Sequence, residues 1–383
     1  MSNARQNETR GLTVAVGMSG GVDSAIAVWL LKQQGCDVIG LTMSIWDAKR
    51  PFTPTKHNAC YGPDEAANIA AARATAERLG IPHHTIPLTD EYERHVLSAF
   101  RNQNLAGLTP NPCALCNPVM KFGLLPARAR ALGIRFDRFA TGHYARIVRD
   151  ETAERLRLLR GADPDKDQSY FLARLSQAQL AEILFPLGDK TKHEVRALAH
   201  EAGLSDLTMK PESQDFFAGD DISVLFDGAG TVPGPIVDTT GRMLGQHRGI
   251  IHYTVGQRDG LGIAVGRKVY VKEIRADSNT LVVDDREGVL ADTCRVTDMQ
   301  WIAGAPPDAP RPVTARLRYR HKGTACRYTL RPDGTLDLRF DEPQFAVTPG
   351  QMAALYDGDE VLGGGWIASA PCAEAKLNLG FRI

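Results

Sequence analysis

The stretch Thr13-Val14-Ala15-Val16-Gly17-Met18-Ser19-Gly20-Gly21-Val22-Asp23-Ser24 decides the architecture. Its β-branched start reads as a short strand, and residues 25–34 read as a helix stopped by Gly35. Between them, glycines let backbone N–H groups converge on an anion without interference from Cβ atoms. The following helix turns its positive N-terminus to the same point, and Ser19 and Ser24 can donate hydroxyl hydrogen bonds. Gly17, Met18, Ser19, Gly20, Gly21, Val22, Asp23 and Ser24 are therefore the candidate phosphate cradle. Asp23 repels a bare phosphate, so its carboxylate predicts a magnesium ion between it and the phosphates. No Lys-Ser/Thr pair follows the glycines and the spacing is not G-x-G-x-x-G, which excludes a Walker A loop and a dinucleotide fingerprint.

Outward from this unit the alternation continues. Residues 37–42, 83–88 and 139–141 read as strands; 64–79, 91–100, 121–132, 177–184 and 192–202 read as helices. Strands alternating with helices predict an α/β fold, a Rossmann-like parallel sheet covered on both faces. After about Met209 glycine and proline become frequent and helical periodicity is lost. From Arg311 short alternating strands with turns such as Pro332-Asp333-Gly334 predict a C-terminal antiparallel β-barrel. The expected domains are 1–212 for nucleotide binding and catalysis, 213–284 as a small linker domain and 285–383 as the barrel. The aperiodic segment 47–62 reads as a lid or binding loop.

The 383 residues carry 45 Lys+Arg and 45 Asp+Glu, so the net charge is zero and a bulk polycation is excluded. A local basic face is not: 311–331 holds Arg311, Arg316, Arg318, Arg320, Lys322, Arg327 and Arg331, no acidic residue before Asp333, and interleaved Tyr319 and Tyr328. Alternation would put Arg316, Arg318 and Arg320 on one strand face, suited to phosphate contact and base stacking. No run of about 18 apolar residues exists for a membrane span, and residues 1–10 are polar, without the apolar core of a signal peptide. Seven cysteines, an odd and sparse set, fit a reducing cytoplasm better than a disulfide framework.

A second motif, Thr109-Pro110-Asn111-Pro112-Cys113-Ala114-Leu115-Cys116-Asn117, contains C-x-x-C, the spacing of a half zinc site, a redox pair or part of an iron–sulfur site. SGGVDS itself matches the PP-loop of the ATP pyrophosphatases. Together with that loop, TPNPCALCNPVMKF (109–122), Gly40-Leu41-Thr42-Met43 with Trp46, Ala140-Thr141-Gly142-His143-Tyr144, Lys166-Asp167-Gln168-Ser169-Tyr170-Phe171, Leu184-Phe185-Pro186-Leu187-Gly188, GIIHYTVGQRDGLG (249–262), Arg318-Tyr319-Arg320 and Gly363-Gly364-Gly365 make the chain resemble the tRNA-specific 2-thiouridylases over nearly its whole length.

The resemblance implies a reaction: ATP adenylates O2 of the wobble uridine in tRNA, sulfur attacks C2, and AMP leaves. It implies ATP contacts at residues 17–24, Met43 and Gly142; Asp23 is expected, on the charge argument above, to help hold Mg²⁺ on the phosphates. Cys116 matches the nucleophilic cysteine. Asn111, Pro112 and Cys113 match the segment facing the target base. Lys166, Asp167, Gln168, Arg318 and Tyr319 match tRNA-contacting positions. The implied partners are tRNA and a sulfur donor, either a persulfide carrier or hydrosulfide. No membrane is implied, and the chain is expected as a monomer or weak dimer.

Two positions depart from the family pattern. Many members carry Asp where this chain has Cys113, and by the register of Lys210-Pro211-Glu212-Ser213-Gln214-Asp215 the downstream cysteine is replaced by Phe217, which cannot carry sulfur. Three routes stay open. Cys60, Cys113 and Cys116 hold a 4Fe–4S cluster with an open iron, by analogy with iron–sulfur thiolases of the superfamily; or Cys113 and Cys116 act as a persulfide–disulfide relay; or the cysteines are structural. Cys36, Cys294, Cys326 and Cys372 read as packing. The rival functions are another PP-loop adenylating enzyme (an amidotransferase-type synthetase or a tRNA-lysidine synthetase) that delivers nitrogen, and a catalytically silent tRNA-binding or redox protein.

Overall fold

The computed structural model describes residues 10–50, 59–210, 215–217, 219, 221–307 and 311–368. Residues 51–58 of the expected loop 47–62, part of the 210–217 stretch, and Cys372 lie outside them.

A five-stranded parallel sheet runs in the order His83–Pro87, Asp37–Ser44, Thr13–Gly17, Arg138–Thr141, Ile183–Leu184. Val14, Ala15 and Val16 are fully buried, as a central strand covered on both faces requires. The strand order reverses around Thr13–Gly17, whose neighbours are the second and fourth-introduced strands. A crevice at the carboxyl ends of the strands is therefore a topological switch point, where α/β sheets take ligands. The helix Val22–Gln33 follows immediately and packs against the helix Lys192–Glu201.

Two expected helices are not single helices. The stretch read as 91–100 divides into Thr89–Tyr92, a π-helical turn Glu93–Leu97 and Ser98–Leu105. The stretch read as 121–132 begins earlier: Pro112–Cys116 is α-helical, Asn117–Leu124 is π-helical, and Leu125–Ala131 returns to α. A π-helical segment leaves carbonyls in need of donors. Gln179 Nε2 supplies them, at 2.7 Å from Pro118 O and 3.3 Å from Phe122 O.

The middle of the chain forms a four-stranded sheet of Met243–His247, Gly234–Val237, Thr280–Asp284 and Tyr270–Arg275. The C-terminal part is an antiparallel barrel of six strands, ordered Leu290–Trp301, Leu336–Phe345, Thr324–Leu330, Val313–Arg316, Met352–Asp357, Glu360–Ile367. It closes by pairing the first with the last. The expected strand 313–320 stops at Arg316. There the chain turns, with His321 N donating to Arg318 O at 3.0 Å, so Arg316, Arg318 and Arg320 do not share one strand face. A further departure is the hairpin Ala145–Asp150 and Arg155–Arg160. It comes from the N-terminal part of the chain, yet it extends the barrel sheet by pairing Leu159 with Glu360 and Leu158 with Val361.

Candidate functional site

Gly17 ends the central strand, and Gly21 caps the helix Val22–Gln33 in extended geometry. Between them Gly20 has φ +74°, and a Cβ there would lie 3.0 Å from Asn68 O and 3.2 Å from Ala71 Cβ. Glycine is required both by the left-handed backbone and by the helix Glu65–Arg78 packed beneath. Ser24 Oγ donates to Gly21 O at 3.0 Å and accepts from Ser19 N at 3.3 Å, so Ser24 holds the loop while Ser19 stays exposed. Thr42 Oγ1 donates to Met18 O at 2.8 Å and ties the loop to the neighbouring strand. That strand carries Met43, half-buried at its end. Past it, Glu65 accepts from Ile45 N at 2.6 Å, Trp46 N at 2.8 Å and Ser44 Oγ at 2.7 Å, fixing the chain that follows Met43. Gly142 lies directly on the loop: a Cβ would come 2.7 Å from Asp23 C and 2.8 Å from Ser24 N. The candidate nucleotide residues are thus brought together at the end of the central strand.

Asp23 is already met by a protein cation. Lys192 Nζ lies 2.8 Å from each carboxylate oxygen, and Tyr144 donates its hydroxyl to Oδ1 at 2.8 Å. The capping box Thr191-Lys192-His193-Glu194 explains the position of that lysine. Glu194 N donates to Thr191 Oγ1, Thr191 N donates to Glu194 Oε2, and the helix start so fixed places Lys192 in the first turn. Such a cap contributes about 1 kcal/mol. Gln168 in turn brackets Tyr144, donating its amide to Tyr144 O at 3.0 Å and accepting from Tyr144 N at 3.1 Å.

The cysteine helix Pro112–Cys116 is capped by Asn111, whose Oδ1 accepts from Ala114 N at 3.1 Å; its first residue is proline, which suits a helix start. Cys113 and Cys116, three apart, share a helix face, and both are half-buried by area. Burial of the Cys116 sulfur pushes its thiol up to about 12. The Lys121 ammonium pulls it down and the neighbouring Cys60 pushes it up. Lys121 also acts on His143, whose imidazole is held neutral, well below its ordinary value, chiefly by burial between Phe122 and Phe185. The Nδ1 of His143 lies 2.6 Å from Thr141 Oγ1. The Lys121 charge is thus felt both at the cysteine helix and at the segment that touches the nucleotide loop.

Cys60 reaches the same region from another element. Its strand Ala59–Tyr61 pairs in parallel with Asp215–Phe217, Tyr61 opposite Phe217. The position where a downstream cysteine was expected is therefore beside Cys60 in space. All three sulfurs act on the buried Tyr92 phenol, which burial first, then Cys116, Cys60 and Cys113, hold well above its ordinary value. Tyr92 stacks on Tyr61 at 5.5 Å. Even so, among the described residues no three His, Cys, Asp or Glu side chains are gathered so as to hold a metal ion. Cys60 is exposed while the Cys116 sulfur is enclosed, so the three do not form a ligand set as they stand. Cys36, Cys294 and Cys326 are buried in packing.

The expected tRNA positions separate. Asn111 Nδ2 donates to Tyr170 at 3.3 Å, and Pro112 is half-buried beside it. Lys166 is half-buried and Arg318 exposed. Asp167 is 5% exposed and accepts from Gly161 N, Ser169 N, Ser169 Oγ and Arg316 Nη1, the last at 2.7 Å. The Asp167 carboxylate is thus enclosed by donors of its own protein. Tyr319 packs its ring on Phe171 at 4.5 Å, and Arg316 donates to its carbonyl. Gln351 Nε2 reaches Thr109 O at 3.0 Å and Pro110 O at 3.2 Å, docking the barrel on the segment that leads into the cysteine helix.

Sequence reasoning missed Lys192, Tyr144, Lys121 and Glu65. The sequence pattern located the helix that carries Lys192, but nothing local named its partner.

Three family descriptions match in succession: tRNA methyl transferase HUP domain over residues 12–218, tRNA methyl transferase PRC-barrel domain over 223–285, and Aminomethyltransferase beta-barrel domain over 291–367. The chain is 44% identical over 359 residues to the tRNA-specific 2-thiouridylase MnmA of Endomicrobium trichonymphae, covering 93% of this chain and 99% of that protein. It is 44% identical over 364 residues to the protein of the same name from Geobacter metallireducens, covering 93% and 97%. Among the described residues no helix is long and apolar enough to cross a membrane.

Proposed function

The chain belongs to the tRNA-specific 2-thiouridylase family and is an enzyme of tRNA thiolation built on a PP-loop; from that premise we propose that it converts the wobble uridine of certain tRNA anticodons to 2-thiouridine, with ATP bound on residues 17–24, Met43 and Gly142. Mg²⁺ arrives with the ATP and supplies charge neutralisation for the phosphates. The single observation that carries this reading is continuity. Gly142 lies on the Asp23–Ser24 backbone, its neighbour His143 packs on Phe122, and Lys121 acts on both His143 and Cys116.

In the first step O2 of the uridine attacks the α-phosphorus of ATP. The bond from that phosphorus to the bridging oxygen breaks, pyrophosphate leaves with the electron pair, and the N3 proton passes to solvent. Backbone N–H groups of the loop and the helix N-terminus stabilise the charge on pyrophosphate. Adenylation is needed because a carbonyl oxygen leaves poorly and AMP leaves well. In the second step a persulfide on Cys116, formed when its thiolate takes the outer sulfur of a carrier's persulfide and the carrier leaves as a thiolate, attacks C2 and expels AMP. Cys113 thiolate then attacks Cys116 Sγ, the S–S bond to the transferred sulfur breaks, and a Cys113–Cys116 disulfide remains for an external thiol to reduce. Because Cys60, Cys113 and Cys116 are not gathered as ligands, no step is routed through a 4Fe–4S cluster. We further propose a cytoplasmic enzyme acting as a monomer or weak dimer.

The test separates the two steps. Cys116→Ser should keep tRNA-stimulated pyrophosphate release and lose thiolation; Cys113→Ser should do the same under turnover. Product formation that survives both substitutions would favour a nitrogen-delivering PP-loop enzyme. A protein with no tRNA-stimulated pyrophosphate release would be a silent binder. Anaerobic purification with iron and sulfide assays tests the relay: about four irons per chain, lost in Cys60→Ala, Cys113→Ala and Cys116→Ala alike, would replace it with a cluster.

A further inference from the structure

Asp23 stands in the first turn of the helix that receives the phosphates, where a carboxylate opposes a polyanion. Magnesium on that carboxylate is the reconciliation that sequence alone suggests. The structure contains a different one. Both oxygens of Asp23 are held by Lys192 Nζ at 2.8 Å, and Oδ1 also accepts from Tyr144. As placed, Asp23 offers a metal no oxygen that is not already engaged by a donor.

The burial is asymmetric. The Lys192 side chain is 8% exposed and that of Asp23 is 30% exposed, so the lysine sits behind the carboxylate, on the protein side. Its stem passes Tyr144, with Nζ 5.9 Å from the ring centre, and its own amide donates to Asp163 at 2.8 Å. These contacts fix the ammonium where it cancels Asp23 without occupying the space in front of the loop. A second lysine, Lys210, reaches Gly20 O at 3.4 Å from the solvent side.

We propose that Lys192 is a built-in counter-cation: it neutralises Asp23 from behind, so that the loop binds pyrophosphate and the polyphosphate of ATP without a metal on Asp23. Asp23 and Lys192 are then positioning residues for the anion, acting through the charge and shape of the cradle. This deepens the adenylation reading. Its test uses neither tRNA nor sulfur, so failure of one leaves the other standing.

The experiment is calorimetric titration of the full chain with inorganic pyrophosphate in the presence of EDTA, with circular dichroism and melting curves on every variant. The wild-type protein should bind. Lys192→Met, which leaves Asp23 bare, should bind at least about tenfold more weakly. Lys192→Arg and Asp23→Asn should bind within a few-fold of wild type. The decisive variant is Asp23→Asn with Lys192→Met, which removes both charges and should recover most of the affinity lost by Lys192→Met alone. A purely structural lysine, or one that touches the anion itself, gives no such recovery. Wild type that fails to bind without a metal, Lys192→Met that binds like wild type, or a double variant as weak as Lys192→Met would each overturn the proposal.

Discussion

Arg316 Nη1 lies 2.7 Å from Asp167 Oδ2, joining residues 149 positions apart in the chain. Both are almost fully enclosed, with side chains 10% and 3% exposed. Arg160 adds a second guanidinium at 3.5 Å, and Ser169 Oγ, itself within 3.2 Å of the Tyr356 hydroxyl, adds a neutral donor. A charge pair so enclosed contributes little net stability when intact, but breaking one side leaves an uncompensated ion. Arg316→Met should therefore destabilise the protein by about 3–5 kcal/mol, measured by denaturant unfolding. Asp167→Asn added to Arg316→Met should restore part of that loss. Simple additivity of the two losses would show that the residues do not act as a pair.

Cys116 should be slow to alkylate. Burial lifts its thiol to about 12, so the reactive thiolate is scarce at neutral pH. With iodoacetamide, its rate should keep climbing through pH 10, whereas an exposed thiol levels off near its ordinary value of about 8.5. Lys121→Met removes the one cation that favours the thiolate, so the rate should fall further at every pH below that value, while Lys121→Arg should retain it. A rate that levels off near pH 8.5 would contradict the enclosed thiol.

Gly142→Ala should disable adenylation. The new methyl would press to 2.7 Å of the Asp23 carbonyl carbon, and the obstacle is backbone, which cannot swing aside. A displacement of the loop by about 1 Å costs roughly 10²-fold in rate. Pyrophosphate release should fall by that order, while tRNA binding, measured by filter retention, should change little.

Gln179→Leu tests the π-helical segment. Two carbonyls lose their donor, which should cost about 1–3 kcal/mol in thermal or chemical unfolding. If the segment aims Lys121 at Cys116, thiolation should fall more than pyrophosphate release does. Equal losses in both would mean that the distortion only supports the fold.

How much of this was legible depended on how local the cause is. The strand–glycine–helix unit at 13–33 is set by neighbours a few residues apart, and its pattern predicts both the element and the anion site. The capping box at Thr191 is equally local. Lys192 and Asp23 are 169 positions apart, so composition and spacing at either end could not pair them, and the carboxylate pointed to a metal instead. Alternation in 313–320 predicted a basic strand face because the pattern cannot register that Arg316 answers a buried carboxylate. Residues 117–124 look helical in any apolar count, but a Pro118 carbonyl served by a distant glutamine is a tertiary fact. Cys60 was selected from its odd loop by analogy. What brings it beside the position of Phe217 is a parallel ladder between segments far apart in sequence, which no periodicity reports.

The hairpin Ala145–Asp150 and Arg155–Arg160 has a consequence for how the molecule is made. It is synthesised early, but the strand it lies against comes late: Arg157 finds its carboxylate partner, Glu360, 203 positions further on. On the ribosome the hairpin must wait with one edge uncovered, and Asp167 must wait without Arg316. A nascent chain released before residue 360 can build the parallel sheet and the phosphate loop but cannot close this seam. A chain that ends before residue 316 carries both an uncovered edge and an unanswered charge, features that chaperones and proteases act on.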